Sequence, residues 1–146
     1  GIEPRSIVLE LTESSIVADW EYVNRQFDAF REQGFRIAMD DFGSGFSSLN
    51  FLRTLPIDVL KIDKLFLEDF ATDRRSRLLL QDILSIAEHF GLQTVLEGVE
   101  TKEEVGFLRG CGCDLFQGFY FYRPLRSLEF WRVLSEEQEN REKQII

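Results

Sequence analysis

The most informative part of the sequence reads Phe35-Arg36-Ile37-Ala38-Met39-Asp40-Asp41-Phe42-Gly43-Ser44-Gly45-Phe46-Ser47-Ser48. An apolar run typical of a buried strand ends here in two adjacent carboxylates and opens into a turn rich in glycine. Such a pair is unfavourable in a core but suits a hard cation such as Mg²⁺, which takes oxygen ligands. Taken alone, the pair is also compatible with a helix cap or a turn.

Strand-like and helix-like runs alternate along the whole chain. Hydrophobic periodicity predicts strands at residues 6–11, 35–41, 59–63, 93–97 and 115–119, and helices at 18–33, 47–55, 73–90, 101–109 and from 127 onward. This alternation predicts parallel strands joined by right-handed crossovers, and the apolar strands predict that both sheet faces are covered. We therefore predict an α/β fold, a partial TIM-type (β/α) barrel of about five parallel units. It occupies residues 1–135, and a charged tail follows at 136–146.

Polar residues gather where the predicted strands end. They are Glu10, Asp40, Asp41, Lys61, Asp63, Glu97 and Gln117. In a (β/α) barrel the C-terminal strand ends converge on the active site, which would bring these residues together. A full barrel has eight units and about 250 residues. The 146-residue chain is therefore interpreted as the C-terminal part of a larger barrel, and we expect self-association or an open sheet at its bare first strand.

Composition narrows the possible functions. The net charge of −9 argues against binding to a nucleic-acid polymer. We find no apolar stretch of about 20 residues and no signal segment, and we expect a cytoplasmic domain, with tethering through upstream regions left open. Cys111 and Cys113 are interpreted as reduced structural thiols, because cysteines so close in sequence do not pair easily. Trp20, Trp131 and the phenylalanines are interpreted as core or helix-packing residues, with cover for the outside of the barrel or an interface left open for some of them.

Five motifs together carry a family resemblance. They are Glu10-Leu11-Thr12-Glu13, Asp40-Asp41-Phe42-Gly43-Ser44-Gly45, Lys61-Ile62-Asp63, Glu97-Gly98-Val99-Glu100-Thr101 and Gln117-Gly118-Phe119. In this order, and with separations of 21, 36 and 20 residues between Asp40, Lys61, Glu97 and Gln117, they resemble the EAL-domain family of cyclic di-GMP phosphodiesterases. The resemblance extends from about Ile7 to Leu134. The Glu-Ala-Leu tripeptide of the family is absent from the sequence, and we expect it, with an asparagine-bearing strand, before Gly1.

The resemblance implies hydrolysis of cyclic di-GMP to linear pGpG, with two Mg²⁺ or Mn²⁺ ions in a complete site. It implies that Glu10, Asp40 and Asp41 bind metal, that Lys61 holds or polarises the attacking water, and that Glu97 is a general base or metal ligand. It implies that four residues support the site without binding the metals directly: Asp63, Gln117, Glu13 and Glu100. It also implies a loop that organises the metals and dimerisation, formed by Phe42, Gly43, Ser44, Gly45, Phe46, Ser47 and Ser48. The implied partners are cyclic di-GMP, a second copy of the chain, and upstream sensor or diguanylate cyclase-type domains.

Two other functions stay open. Because two ligands are expected upstream, the chain alone is expected to be inactive. It could instead be a non-catalytic module that binds cyclic di-GMP or a protein partner. A different metal-dependent barrel hydrolase is the third possibility. The sequence before Gly1 would distinguish the enzyme from the module, because only the enzyme needs the Glu-Ala-Leu and asparagine strands.

Overall fold

The chain forms one parallel five-stranded sheet with strand order β1-β2-β3-β4-β5. The computed structural model describes residues 1–12, 20–44 and 49–143. The strands are β1 (Val8–Thr12), β2 (Arg36–Phe42), β3 (Val59–Ile62), β4 (Gln93–Leu96) and β5 (Leu115–Phe116). The helices are α1 (Trp20–Glu32), α2 (Leu49–Thr54), α3 (Arg74–His89), α4 (Lys102–Gly110) and α5 (Ser127–Lys143), with 3₁₀ helices at Pro4–Ser6 and Lys64–Leu67. The predicted α/β class and its parallel units are confirmed.

Side-chain caps fix the start of two helices. The Asp73 carboxylate accepts hydrogen bonds from the backbone N–H groups of Arg75 and Ser76, which lowers the pKa of Asp73. Thr101 and Glu104 form the predicted capping box at α4, in which each side chain accepts from the backbone of the other residue. These caps set where each crossover helix begins and therefore how the chain leaves each strand.

The two faces of the sheet have different chemistry. Side chains on one face form the core beneath the helices, and the most deeply buried are Ile37, Met39, Leu60, Ile62 and Leu96. Side chains on the other face line a groove of about 510 Å³, among them Val8, Glu10, Arg36, Ala38, Val59, Lys61, Gln93 and Val95. Because successive strand residues point to opposite faces, each strand contributes to both the core and the groove.

The sheet is open at its first and last strands. Within the described residues β1 pairs only with β2, and β5 pairs only with β4. The prediction that the first strand is buried is wrong: Val8 is 38% exposed, because no strand in the described part of the chain covers the outer side of β1. Leu115 on β5 is 48% exposed for the same reason. The predicted open sheet is confirmed, and self-association stays a prediction.

Helix packing corrects two further expectations. Leu79, predicted on the inner face of its helix, is 53% exposed, and Leu80 and Leu84 are buried instead. The run of three leucines at 78–80 offers more than one helical stripe, so periodicity does not choose between them. Trp131 is 63% exposed on α5, so it is not a core residue, and a role at an interface stays a prediction. The same helix continues to Lys143, and the predicted domain limits stay a prediction.

The structure also bears on the cysteines, on membrane-spanning helices and on two helix starts. Cys111 and Cys113 are free thiols, and burial raises the pKa of both. None of the described helices is long and apolar enough to cross a membrane. The predicted starts of the helices at residues 18 and 47 lie outside the described residues.

Candidate metal and phosphodiester site

A buried lysine lies at the centre of the polar strand ends. Lys61 on β3 is only 9% exposed. Its ammonium Nζ donates hydrogen bonds to Asp40 Oδ1 at 2.7 Å and Glu10 Oε2 at 3.0 Å. It also forms an ion pair with Glu97 Oε1 at 2.8 Å. Residues from β1, β2, β3 and the end of β4 therefore meet at one point, as the convergence of parallel strand ends predicts.

The surroundings of Lys61 favour its charged form. Burial works to lower the pKa of its ammonium, but hydrogen bonds to Asp40, Glu97 and Glu10 outweigh burial and raise the pKa above its ordinary value of 10.5. Lys61 therefore carries a positive charge at neutral pH. It can hold a water or a phosphate oxygen by hydrogen bonding, and it is a poor base.

A bulge in β2 brings the two aspartates to the same side. Met39 pairs with Leu60 and Phe42 pairs with Ile62, so β2 contains one residue more than β3 over this interval. Asp41 has a φ of 56°, in the left-handed region. In a regular strand neighbouring side chains point to opposite faces. The bulge breaks this alternation, and bulges commonly redirect side chains near active sites.

Three carboxylates are arranged so that they could bind a cation. Asp40, Asp41 and Glu97 each offer a carboxylate oxygen within 4.8 Å of the other two. Oxygen donors of this kind suit Mg²⁺ and Mn²⁺. A carboxylate has two oxygens, so Asp40 and Glu97 can bind an ammonium with one oxygen and a metal with the other. The donor set therefore fits a divalent cation beside Lys61.

The other expected site residues take different positions. Asp63 Oδ1 accepts a hydrogen bond from the Leu65 N–H at 2.8 Å and so caps the Lys64–Leu67 helix. Gln117 is exposed, and it lines a cleft of about 600 Å³ together with Asp63 and Glu97. Glu100 is exposed and is not part of the carboxylate cluster. Of the predicted loop, Phe42, Gly43 and Ser44 are described, whereas Glu13, Gly45, Phe46, Ser47 and Ser48 lie outside the described residues.

Sequence reasoning missed two features beside the site. One is the Lys64–Leu67 helix, which an Asp63 cap after the strand could have indicated. The other is the far wall of the 600 Å³ cleft. There the Arg123 guanidinium lies 4.5 Å from the centre of the Phe119 ring, and the Tyr122 hydroxyl donates to Glu137 Oε1 at 2.6 Å. The first contact lies within the segment between β5 and α5, and the second joins that segment to α5.

The left-handed Asp41 can be tested by two substitutions. Asparagine tolerates this backbone conformation, so Asp41→Asn is expected to keep the free energy of unfolding and to weaken Mn²⁺ binding. Alanine does not tolerate it, so Asp41→Ala is expected to lose about 1 kcal/mol as well. Urea unfolding and Mn²⁺ titration measure the two effects separately. Equal stability of the two variants would contradict the conformational argument.

Comparison with known proteins places the chain in a family. An EAL domain family model matches residues 1–124. Cyclic di-GMP phosphodiesterase NbdA of Pseudomonas aeruginosa is 38% identical over 125 residues, which cover 86% of this chain and 17% of NbdA. The EAL domain of Mycobacterium smegmatis DcpA is 35% identical with a TM-score of 0.87, over 93% of this chain and 61% of that one.

A further solved structure bears on the ligands of related proteins. Klebsiella pneumoniae BlrP1, in a manganese and cyclic di-GMP complex, is 33% identical with a TM-score of 0.80, over 85% of this chain and 32% of that one. The chain thus spans less than two thirds of each of these relatives. The family model nevertheless covers most of the chain, and its structural neighbours share its parallel β/α architecture. The chain belongs to the EAL domain family.

Proposed function

We propose that the chain carries part of a cyclic di-GMP phosphodiesterase site, which hydrolyses the dinucleotide to linear pGpG with Mg²⁺ or Mn²⁺. The observation that carries the proposal is the meeting of Glu10, Asp40 and Glu97 at the Lys61 ammonium, within 3.0 Å. Asp41 lies within metal-ligand range of Asp40 and Glu97. The manganese and cyclic di-GMP complex of BlrP1 supports the choice of cation and substrate.

The carboxylates and the lysine of the site would have different roles in the reaction. Asp40 and Asp41, with Glu10 beside them, would hold the divalent ions, and Glu97 would lie next to those ions. Bound ions of this kind neutralise phosphoryl charge and make a bound water more acidic. Lys61 would position the attacking water or a phosphate oxygen through its N–H groups. The three carboxylates that contact Lys61 stabilise its positive charge.

Hydrolysis requires one P–O bond to form and one to break. The oxygen of water forms the new bond to phosphorus, and the ribose oxygen leaves with a proton. In this proposal Glu97 accepts the proton of the water, which requires hydrogen-bond reach between them. Asp63 and Gln117 line the cleft next to Glu97 and would support the water and the dinucleotide.

The test is a Glu97→Gln substitution assayed with cyclic di-GMP and Mn²⁺. The assay should use this chain and the same chain extended by the strands that carry Glu-Ala-Leu in the family. We expect the extended protein to form pGpG and its Glu97→Gln variant to lose activity by at least about 100-fold, the size of a general-base effect. Glu103→Gln, an exposed glutamate in the first turn of α4, is the matched control and is expected to keep full activity.

The possible results separate the hypotheses. Absence of pGpG from the extended wild-type protein would overturn the enzyme proposal. Binding of cyclic di-GMP without turnover would then favour the non-catalytic module. Full activity in Glu97→Gln would keep the enzyme but remove Glu97 from the proposed role.

A further inference from the structure

The Lys64–Leu67 helix lies between the two turns that follow the clustered carboxylates. One of these turns contains Gly43, two residues after Asp41, and the other contains Gly98, directly after Glu97. Both glycines have positive φ, 102° and 70°. The cluster residues on β2 and at the end of β4 are thus each followed by a turn whose conformation favours glycine.

The Phe66 side chain is packed directly on the first turn. A Cβ atom added to Gly43 would lie 2.1 Å from Phe66 Cε2 and 2.5 Å from Cζ. No side chain fits between this ring and the Gly43 backbone. The ring therefore closes over the turn that holds Asp41 in its left-handed conformation, and the Ser44 N–H completes the turn by donating to the Asp41 carbonyl at 3.0 Å.

The other end of the helix contacts the second turn. A Cβ atom added to Gly98 would lie 2.5 Å from Lys64 Cβ, with Lys64 Cδ and Cγ at 3.3 and 3.4 Å. The contact is made by the aliphatic stem of Lys64. It therefore depends on packing and not on the charge of the ammonium.

The helix itself is fixed at both ends. Its N-cap Asp63 accepts from the Leu65 N–H and donates its own N–H to the Phe42 carbonyl at 3.2 Å. At the other end Leu67 is buried in the core. A segment anchored in this way holds the two turns that it contacts at fixed positions relative to the core.

We propose that the Lys64–Leu67 helix is a positioning element, which sets the separation between the Asp40–Asp41 bulge and Glu97 by contacting Gly43 through Phe66 and Gly98 through the stem of Lys64. The proposal rests on the metal site of the proposed function. Phe66 is not among the residues that line the 600 Å³ cleft, whereas Lys64 is. The proposal concerns the contact of the Lys64 stem with Gly98. Residues that orient metal ligands in other proteins change affinity by about 10-fold to 100-fold when they are removed.

The test measures Mn²⁺ affinity and backbone protection in the same variants. For Phe66→Ala we expect the Mn²⁺ dissociation constant, followed by the electron paramagnetic resonance of free Mn²⁺, to rise about 10-fold or more. We also expect faster hydrogen exchange at the Ser44 N–H. Phe66→Tyr keeps the ring and is expected to restore both values.

Two further variants separate positioning from general stability and from charge. Phe70→Ala removes a buried ring that packs on Phe107 at 5.0 Å. It is expected to lower stability while leaving the Mn²⁺ dissociation constant and Ser44 exchange unchanged. Lys64→Met keeps the aliphatic stem and is expected to bind Mn²⁺ as the wild type does.

The outcomes are distinct. If Phe66→Ala changes neither Mn²⁺ affinity nor Ser44 exchange, or if Lys64→Met is the variant that loses affinity, the positioning proposal is overturned. If the wild-type chain does not bind Mn²⁺, the metal site of the proposed function fails. In that case Ser44 exchange alone decides the positioning proposal: faster exchange in Phe66→Ala supports it, and unchanged exchange overturns it.

Discussion

Lys61→Met is expected to lower the free energy of unfolding by about 2–4 kcal/mol at neutral pH, because it leaves partly buried carboxylates without their counter-charge. Three carboxylates contact the ammonium within 3.0 Å. Glu10 is the most exposed of them, so its share of the loss is reduced by solvent. The measurement is urea unfolding of the variant and the wild type in the absence of divalent metal.

The pH dependence of this variant has a defined sign. The folded-state pKa of Lys61 is raised above 10.5, so its contribution to wild-type stability is fully present below 10.5 and is lost only as the pH rises through the higher folded value. The stability deficit of Lys61→Met should therefore persist below pH 10.5 and shrink only at higher pH, and added Mn²⁺ should reduce it.

Lys102→Met is the matched control for this prediction. Lys102 is an exposed residue at the start of α4, so its replacement should change stability by less than about 0.5 kcal/mol. A Lys61→Met deficit that is equally small, or that disappears below pH 10.5, would contradict the proposed role of the Lys61 charge.

Gly118→Ala is expected to destabilise the chain by about 3 kcal/mol, the upper part of the range for overpacking. A Cβ atom at Gly118 would lie 2.0 Å from the Val99 carbonyl oxygen and 2.3 Å from the Val99 nitrogen. Both are backbone atoms. The same segments are joined by hydrogen bonds from the Val99 N–H to the Gln117 carbonyl at 3.1 Å and from the Tyr120 N–H to the Val99 carbonyl at 3.0 Å. A new methyl group must therefore break the pairing or displace the segment that follows β4.

Gly106→Ala is a control with the opposite expected sign. Gly106 lies inside α4, and nothing lies within 4 Å of the position where its Cβ would stand. Alanine in a helix interior is favoured over glycine by about 0.5–1 kcal/mol, so this variant should be more stable than the wild type. Urea unfolding of both variants provides the comparison. A Gly118→Ala variant as stable as Gly106→Ala would show that the close approach at Val99 is not required.

The fold could be predicted largely from sequence because its signals are local. Apolar runs mark the strands, and caps such as Thr101 mark the helix starts. The choice between Leu79 and Leu80 could not be predicted, because both lie on plausible helical stripes and only the tertiary packing buries one of them. The exposed side of β1 was expected because the chain has about five β/α units and a full barrel has eight. The composition of β1 alone would indicate a buried strand.

The site could be predicted as a set of residues but not as a geometry. Parallel strand ends made it reasonable to expect Glu10, Asp40 and Glu97 near Lys61. The sequence does not show that Asp41 adopts a left-handed conformation, because any aspartate tolerates it and few adopt it. The contact of Phe66 with Gly43 joins residues from two strand ends, so no local pattern could indicate it.

The exposed side of β1 limits how any further strand can join this sheet. Val8 and Glu10 face the groove, whereas Leu9 packs against the core. A parallel neighbour in register must therefore place its own alternate residues on the same two sides. A shift by one residue would put its polar side chains under the helices and its apolar ones into the groove. A strand added to β1 can therefore pair in one of two side-chain orientations. The orientation that buries its polar side chains under the helices is strongly unfavourable.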